Sequence, residues 1–314
     1  MPSRSRPRYG SMRFWPRKRS TKILPSVNWN AIETQEKGLK GFIGYKVGMI
    51  SVLVKDDTPD SRTKGKRITV PATVIECPEI KIFSVRAYNN GIVVGEVVVS
   101  KDKELRTILK VPKQTKKIED LKQEFDDLKV IVYSDLKNKF FKKTPDLIEL
   151  GLEGTKEEKL EFVKERIGKP IKVSEVISGM VVDFRGVTKG YGLQGPVKRF
   201  GISLKASKSE KGQRRPGSLG PWHPARVSFR VPMAGQTGFH TRIVYNSLVL
   251  SKDNIANKDI SPSSGFHKYG KLRGDYLIVA GSVQGPCKRQ VLITKALRAP
   301  KSILKKKYEV IELR

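Results

Sequence analysis

Leu39-Lys-Gly-Phe-Ile-Gly-Tyr-Lys-Val-Gly-Met-Ile-Ser-Val-Leu-Val54 is rich in β-forming residues and punctuated by glycine. Glycine inside a strand pattern marks a bend, a bulge or a close backbone approach. Three further strand candidates follow at short intervals: Arg67–Cys77, Ile80–Tyr88 and Ile92–Val99. Asp56-Asp-Thr-Pro-Asp60 and Asn89-Asn-Gly91 supply turns between them. Strand patterning returns at Met180–Val187, Thr241–Leu250, Asp275–Ala280 and Gln290–Thr294. Several short strands at regular spacing predict a mainly β fold, a barrel or a sandwich.

Between these strand groups lies a block of different character, residues 101–170, with 18 basic and 15 acidic residues. Ile118, Leu121, Phe125 and Leu128 recur at helical spacing, and Thr155 with Glu158 spells a capping box before Leu160, Val163 and Ile167. The block reads as an inserted α+β subdomain with an ordinary solvated surface. At 314 residues, the chain has room for about two domains.

The charge is unusual in sign. Lys and Arg number 63 against 31 Asp and Glu, a formal net charge of +32. Such an excess attracts polyanions and strains a compact state, so nucleic acid is the first partner to consider. The excess is concentrated. Residues 1–22 hold eight bases (Arg4, Arg6, Arg8, Arg13, Arg17, Lys18, Arg19 and Lys22) and no acid, interrupted by Phe14, Trp15 and Pro16. Residues 185–245 hold twelve bases, one acid (Glu210), ten glycines and five prolines. Residues 286–314 add nine bases against two acids, including Lys288 and Arg289. The first segment reads as an arm that orders on a partner, since it lacks the apolar surface to fold alone. The second contains a long polar loop, and loops of that length are functional or disordered.

No apolar run approaches the roughly 18 residues of a membrane span. The Arg-rich beginning lacks the apolar stretch of a signal peptide, so a cytosolic compartment is expected. Cys77 and Cys287 read as reduced, partly buried thiols. His223, His240 and His267 are too scattered for a metal cluster, and no metal or cofactor is expected. Gly190-Tyr-Gly-Leu-Gln-Gly195 matches a dinucleotide-binding pattern, but no apolar helix period follows it. Its glycines suit an approach of backbone N–H groups to phosphates, with Lys189, Lys198 and Arg199 beside them. No Gly-x-Ser-x-Gly elbow and no paired carboxylates occur in the basic stretch, so no catalytic constellation is read there. Trp222, in Gly217-Ser-Leu-Gly-Pro-Trp-His-Pro224, reads as a rigid tip for base stacking, with His223 beside it. Lys205, Lys208, Lys211, Arg214, Arg215, Arg226 and Arg230 flank it as phosphate-contacting candidates.

The motifs Lys189-Gly-Tyr-Gly-Leu-Gln-Gly-Pro-Val-Lys-Arg199, Gly217–Val227, Met233-Ala-Gly-Gln-Thr-Gly238 and Gly281–Arg289, with Gly41–Met49 and the N-terminal Arg-Pro-Arg-Tyr-Gly-Ser-Met-Arg run, resemble the ribosomal large-subunit protein three family. The resemblance spans nearly the whole chain, and its arm and Trp-His tip look like the archaeal and eukaryotic branch; the shorter C-terminal end favours an archaeal source. It implies a translation-factor-like β-barrel with an α+β insertion, a long basic finger loop and a basic N-terminal extension. The expected segments are an extension (1–37), barrel parts at 38–100, 171–204 and 239–294, the insertion (101–170), the finger (205–238) and a basic tail (295–314). It further implies direct binding of 23S ribosomal RNA, early subunit assembly, neighbouring ribosomal proteins as partners, a tip near the peptidyl transferase centre, and no catalysis. Eukaryotic members carry a His upstream of the tip; Lys211–Arg215 has none, so its modification is not expected here. An RNA-modifying enzyme or an architectural nucleic-acid-binding protein is the alternative to that reading.

Overall fold

Two compact units make up the chain, Leu24–Gly186 with Ile243–Arg314, and Met1–Ile23 with Val187–Arg242. The computed structural model describes residues 14–32, 37–116, 118–120, 125–136, 140–208 and 211–313. Arg4, Arg6, Arg8, Arg13, Leu121 and Glu210 therefore lie outside the described residues.

The larger unit is mainly β and is built around the quoted stretch, which forms the sixteen-residue strand β2 (Gly41–Asp56), preceded by the short β1 (Gly38–Leu39). One edge of β2 pairs along its length with β3 (Arg67–Cys77). The other edge is shared: its first residues pair with β13 (Gln290–Lys295), its last with β14 (Tyr308–Leu313). With β8 (Val181–Val187), β11 (Thr241–Asn254) and β12 (Asp275–Ala280), the order β13-β8-β11-β12-β3-β2 returns to β13. The sheet thus closes into a ring of six strands, with β14 added on β2.

The glycines of β2 do two different things. The register against β3 shifts between Lys46 and Gly48, the bulge that the pattern suggested. Gly44 serves close packing instead. A Cβ there would lie 2.7 Å from Ile75 Cγ2 on β3 and 3.0 Å from Ile293 Cδ1 on β13. Phe42, Phe184, Val279 and Leu292 fill the same core with no exposed surface.

β4 (Ile80–Asn89) and β5 (Ile92–Val98) were grouped by sequence order with the first barrel segment. They hydrogen-bond instead in a five-stranded sheet with β6 (Asp127–Ser134), β7 (Leu147–Glu153) and β1. The helical spacing read over Ile118–Leu128 falls partly outside the described residues, and those that are described form no α-helix. Ile118–Asp120 is a single 3-10 turn, and Leu128 lies on β6, where alternate side chains are buried. The helix predicted after Thr155 forms as α1 (Lys156–Arg166), with both capping-box hydrogen bonds present. A short α2 (Val173–Val176) follows.

Residues near the start of this unit belong to its core rather than to an arm. Trp29 and Ile32 are buried. Trp29 lies where Gly41 and Gly151 leave the sheet bare: a Cβ on Gly151 would come within 2.7 Å of Trp29 Cβ. Its Nε1 donates to the Glu149 carbonyl at 3.1 Å. Lys40 is buried with it, donating to the Ile32 carbonyl and pairing with Glu153 at 3.0 Å. The C-terminal segment carries α4 (Lys301–Leu304) and β14. Cys77 is buried, which pushes its thiol pKa well up, and Cys287 is half-buried; both are free. Among the described residues no helix is long and apolar enough to cross a membrane.

Candidate nucleic-acid interface

The smaller unit joins the start of the chain to the basic stretch after β8. It contains nineteen Lys and Arg residues and one acid, Glu210. Its regular structure is slight. β9 (Gly190–Gln194) pairs antiparallel with β10 (Gly235–Gly238) in a two-stranded ribbon. Between them lie the single-turn α3 (Pro196–Phe200) and a long segment without helix or strand among its described residues. Pro196 opens α3 and Gly201, at φ +67°, ends it. So the glycine pattern is a strand of a ribbon followed by one helical turn. A dinucleotide fold would need a parallel sheet and a full helix there.

Residues 18–20 lie along this ribbon. Ser20 N–H donates to the Phe239 carbonyl at 2.8 Å, and the Ser20 and Thr241 hydroxyls are 3.0 Å apart. His240 Nδ1 sits 3.0 Å from the Lys18 carbonyl. Gly238 lets β10 close on the start of β9: at φ +72°, its missing Cβ would fall 2.0 Å from the Lys189 carbonyl oxygen.

An aromatic and cationic cluster anchors the arrangement. Trp15 stacks on Phe200 with centroids 5.9 Å apart and meets Phe229 edge-on at 5.7 Å. The Arg17 guanidinium lies 4.3 Å from the Phe200 centroid, and its Nη1 donates to the Arg199 carbonyl at 3.1 Å. Arg199 donates to the carbonyls of Met233 (2.9 Å) and Gln236 (3.1 Å), and lies where a Gly235 Cβ would be. Arg242 stacks on Phe14 at 4.1 Å. Burial, and after it the charge of Arg17, lowers the pKa of both Arg199 and Arg242. No carboxylate belongs to the described residues of this unit.

The sequence-read candidates therefore divide by position. Trp15 and Arg199 are half-buried and engaged inside the unit, as is Arg17, while Lys18 and Arg19 are exposed. Lys189, Lys198, Lys208, Lys211, Arg214, Arg215, Arg226 and Arg230 are exposed, and Lys205 is half-buried, its N–H donating to the Gln213 carbonyl. Trp222 is 87% exposed, and His223 beside it is exposed too. Lys288 and Arg289 belong to the larger unit, where the Lys288 N–H donates to the Lys46 carbonyl and the Arg289 carbonyl accepts from Lys46 N–H. Sequence reading missed Arg242, Phe200 and Phe229. Arg242 lies in the same acid-poor stretch, which was the available signal; nothing local marks the two phenylalanines.

The family profile described as Ribosomal protein L3 matches residues 1–96 and 97–314. The chain belongs to that family. Curated relatives agree. The large ribosomal subunit protein uL3 of Methanothermobacter thermautotrophicus is 41% identical, over 93% of this chain and 92% of the relative. That of Archaeoglobus fulgidus is 40% identical over 95% and 93%. That of Methanocaldococcus jannaschii is 37% identical over 96% and 94%. These relatives are archaeal, which agrees with the archaeal and eukaryotic branch that the arm and Trp-His tip resemble and with the archaeal source favoured within it.

Proposed function

We propose that the protein is a non-catalytic structural constituent of the large ribosomal subunit in the archaeal cytoplasm. In this reading it binds 23S ribosomal RNA directly, chiefly through its smaller unit, and does so early in assembly. The ring of the larger unit is its translation-factor-like barrel and the neighbour of other ribosomal proteins. Residues 205–238 form a finger that carries Trp222 towards the peptidyl transferase centre.

The observation that carries the RNA part is the pairing of Arg17 with Arg199. The two half-buried side chains lie together, Arg17 Nη1 donating to the Arg199 carbonyl. Burial, and after it the charge of Arg17, lowers the pKa of Arg199, and their unit holds no carboxylate among its described residues. Arg17 Nε is buried without a hydrogen-bond partner there. Such a pair is costly in isolation and is stabilised by an anion reaching it. A phosphate backbone supplies anions at the spacing of a polymer. Family membership, and the relatives' name as large-subunit proteins, support the ribosomal assignment.

The test is binding of the full chain to large-subunit rRNA at several salt concentrations, with sedimentation of gently lysed cells beside it. The log–log slope should be about −0.7 to −0.9 per phosphate contacted, and the protein should sediment with large subunits. A salt-independent affinity, or a protein found mainly free or on DNA, would sink the proposal.

A further inference from the structure

At the outer edge of β2, we infer a docking site for an extended, basic segment of a neighbouring protein, which joins the larger unit as a short added strand. This rests on the reading of that unit as a neighbour of ribosomal proteins and deepens it, by naming the surface and the chemistry of the segment.

The first ground is a gap in the ladder. β13 pairs with β2 as far as Tyr45, and β14 meets it only from Val52 on. The Lys46 N–H donates to the Arg289 carbonyl and its carbonyl accepts from Lys288. Beyond that point no described strand pairs with this edge over residues 47–51, whereas on the other edge Gly48 to Ser51 face Val74 to Pro71 of β3. Both backbone groups of a residue in an antiparallel ladder point to the same neighbour, and successive residues alternate. The Asp57 N–H donates to Lys307, on the β14 side, and the Asp56 N–H to Lys66, on the β3 side. The N–H and carbonyl of Met49, eight residues before Asp57, therefore face the gap, and Met49 is 51% exposed. An extended polypeptide can continue such a ladder and a nucleic acid cannot.

The second ground is a groove at the same place. It encloses about 530 Å³ between the end of β14 and the loop over residues 258–262, and its apolar walls are Ile50, Ile260, Pro262, Ile311 and Leu313. Ile311 is 42% exposed, at the bulge where the register of β14 shifts between Val310 and Glu312. Leu313 stands opposite Val52, so a strand continuing the line of β14 would set a side chain opposite Ile50, at the groove. An open ladder beside an apolar pocket is what strand addition uses: main-chain bonds give affinity and pockets take alternate side chains.

Charge selects among extended partners. Asp259 and Glu312 line the groove against one base, Lys258. β14 adds Glu309 and holds no Lys or Arg. In a chain of net charge +32 this is a locally acidic place. It favours a segment in which basic residues alternate with apolar ones, and disfavours phosphates.

Large subunits assembled with the full chain test the inference, with a benzophenone photo-crosslinker in place of Ile311. Illumination should join it to another protein, at a segment that carries more bases than acids and alternates apolar residues. Hydrogen exchange at the Met49 amide should slow about tenfold or more between the free chain and the subunit. Ile311→Lys places a cation in the groove on an exposed side chain, so its melting temperature should stay within a few degrees of wild type. It should remove the protection at Met49 and keep that at Ile278 in the core. Crosslinks to rRNA alone would overturn the inference and make the face an RNA contact. Crosslinks to a second copy of the chain would overturn it in favour of self-association. A Met49 amide that exchanges equally fast in chain and subunit would overturn it too, as would protection that survives Ile311→Lys. A wild-type chain that never enters large subunits would overturn the ribosomal reading, and this inference with it.

Discussion

Trp15→Ala removes the ring that joins the start of the chain to α3 and to Phe229. A Trp side chain buries on the order of 150–250 Å², and Trp15 is half-buried, so roughly 100 Å² is at stake. At about 25 cal/mol per Å² that is about 2.5 kcal/mol. Each of the two ring pairs adds about 0.5–1.5 kcal/mol beyond its area. Partial collapse of the neighbours returns some of this, which leaves a net loss of about 3 kcal/mol. The loss should fall on the smaller unit alone. Hydrogen exchange reads it directly, at the amides of Ser20, Thr188 and Phe239, which donate to the carbonyls of Phe239, His240 and Lys189. Their protection should drop about a hundredfold, because about 1.4 kcal/mol corresponds to tenfold. Protection at Ile278 and Leu292, in the core of the larger unit, should not change. Trp15→Phe should recover most of the effect. A change below about threefold at all three amides would show that Trp15 does not hold this unit together.

Deleting residues 205–230 should leave the larger unit folded and cooperative, while weakening rRNA binding and subunit assembly; loss of its thermal transition would refute the division into units. Trp222→Ala should leave rRNA affinity within about threefold of wild type, since phosphates dominate it, and should slow peptidyl transfer in ribosomes that carry it. The Thr58 hydroxyl, then those of Thr63 and Ser61, hold the Asp56 carboxyl well below the usual carboxylate range, and it also accepts from the Thr58 N–H. Its folded pKa is thus lower than its unfolded one. The resulting stability is complete above the unfolded value of about 4 and is lost as pH falls below it. Asp56→Asn should therefore lower the melting temperature at neutral pH, and the gap from wild type should narrow with acidification; a constant gap would refute the assignment.

What the sequence disclosed depended on whether the deciding partners were local. Arg67–Cys77 and Asp275–Ala280 form strands over those same bounds because runs of Val, Ile and Thr with flanking turns are a local signal. The capping box at Thr155 was legible for the same reason. Trp29 was not, because its slot is made by Gly41 and by Gly151, more than a hundred residues away. The helical spacing at Ile118–Leu128 misled because Leu128 answers to the pairing of β6 with β4 and β7. At the site, the acid-free stretch was visible at once, since charge needs no partner to be counted. Which cations are held inside was not: Arg199 resembles its neighbours until the Met233 and Gln236 carbonyls fold back on it. Trp15 and Trp222 both stand in basic, acid-poor stretches of the sequence, yet one lies between Phe200 and Phe229 and the other is open.

The central claim is that the smaller unit of this chain is threaded into large-subunit RNA. A cryo-electron-microscopy map of the large subunit assembled with this protein tests it most directly, through the surroundings of Trp222 and of the Arg17–Arg199 pair. The account predicts rRNA phosphates at the pair and RNA around the Trp222 ring near the peptidyl transferase centre. Trp222 in open solvent, or the pair met by carboxylates of another protein, would contradict it.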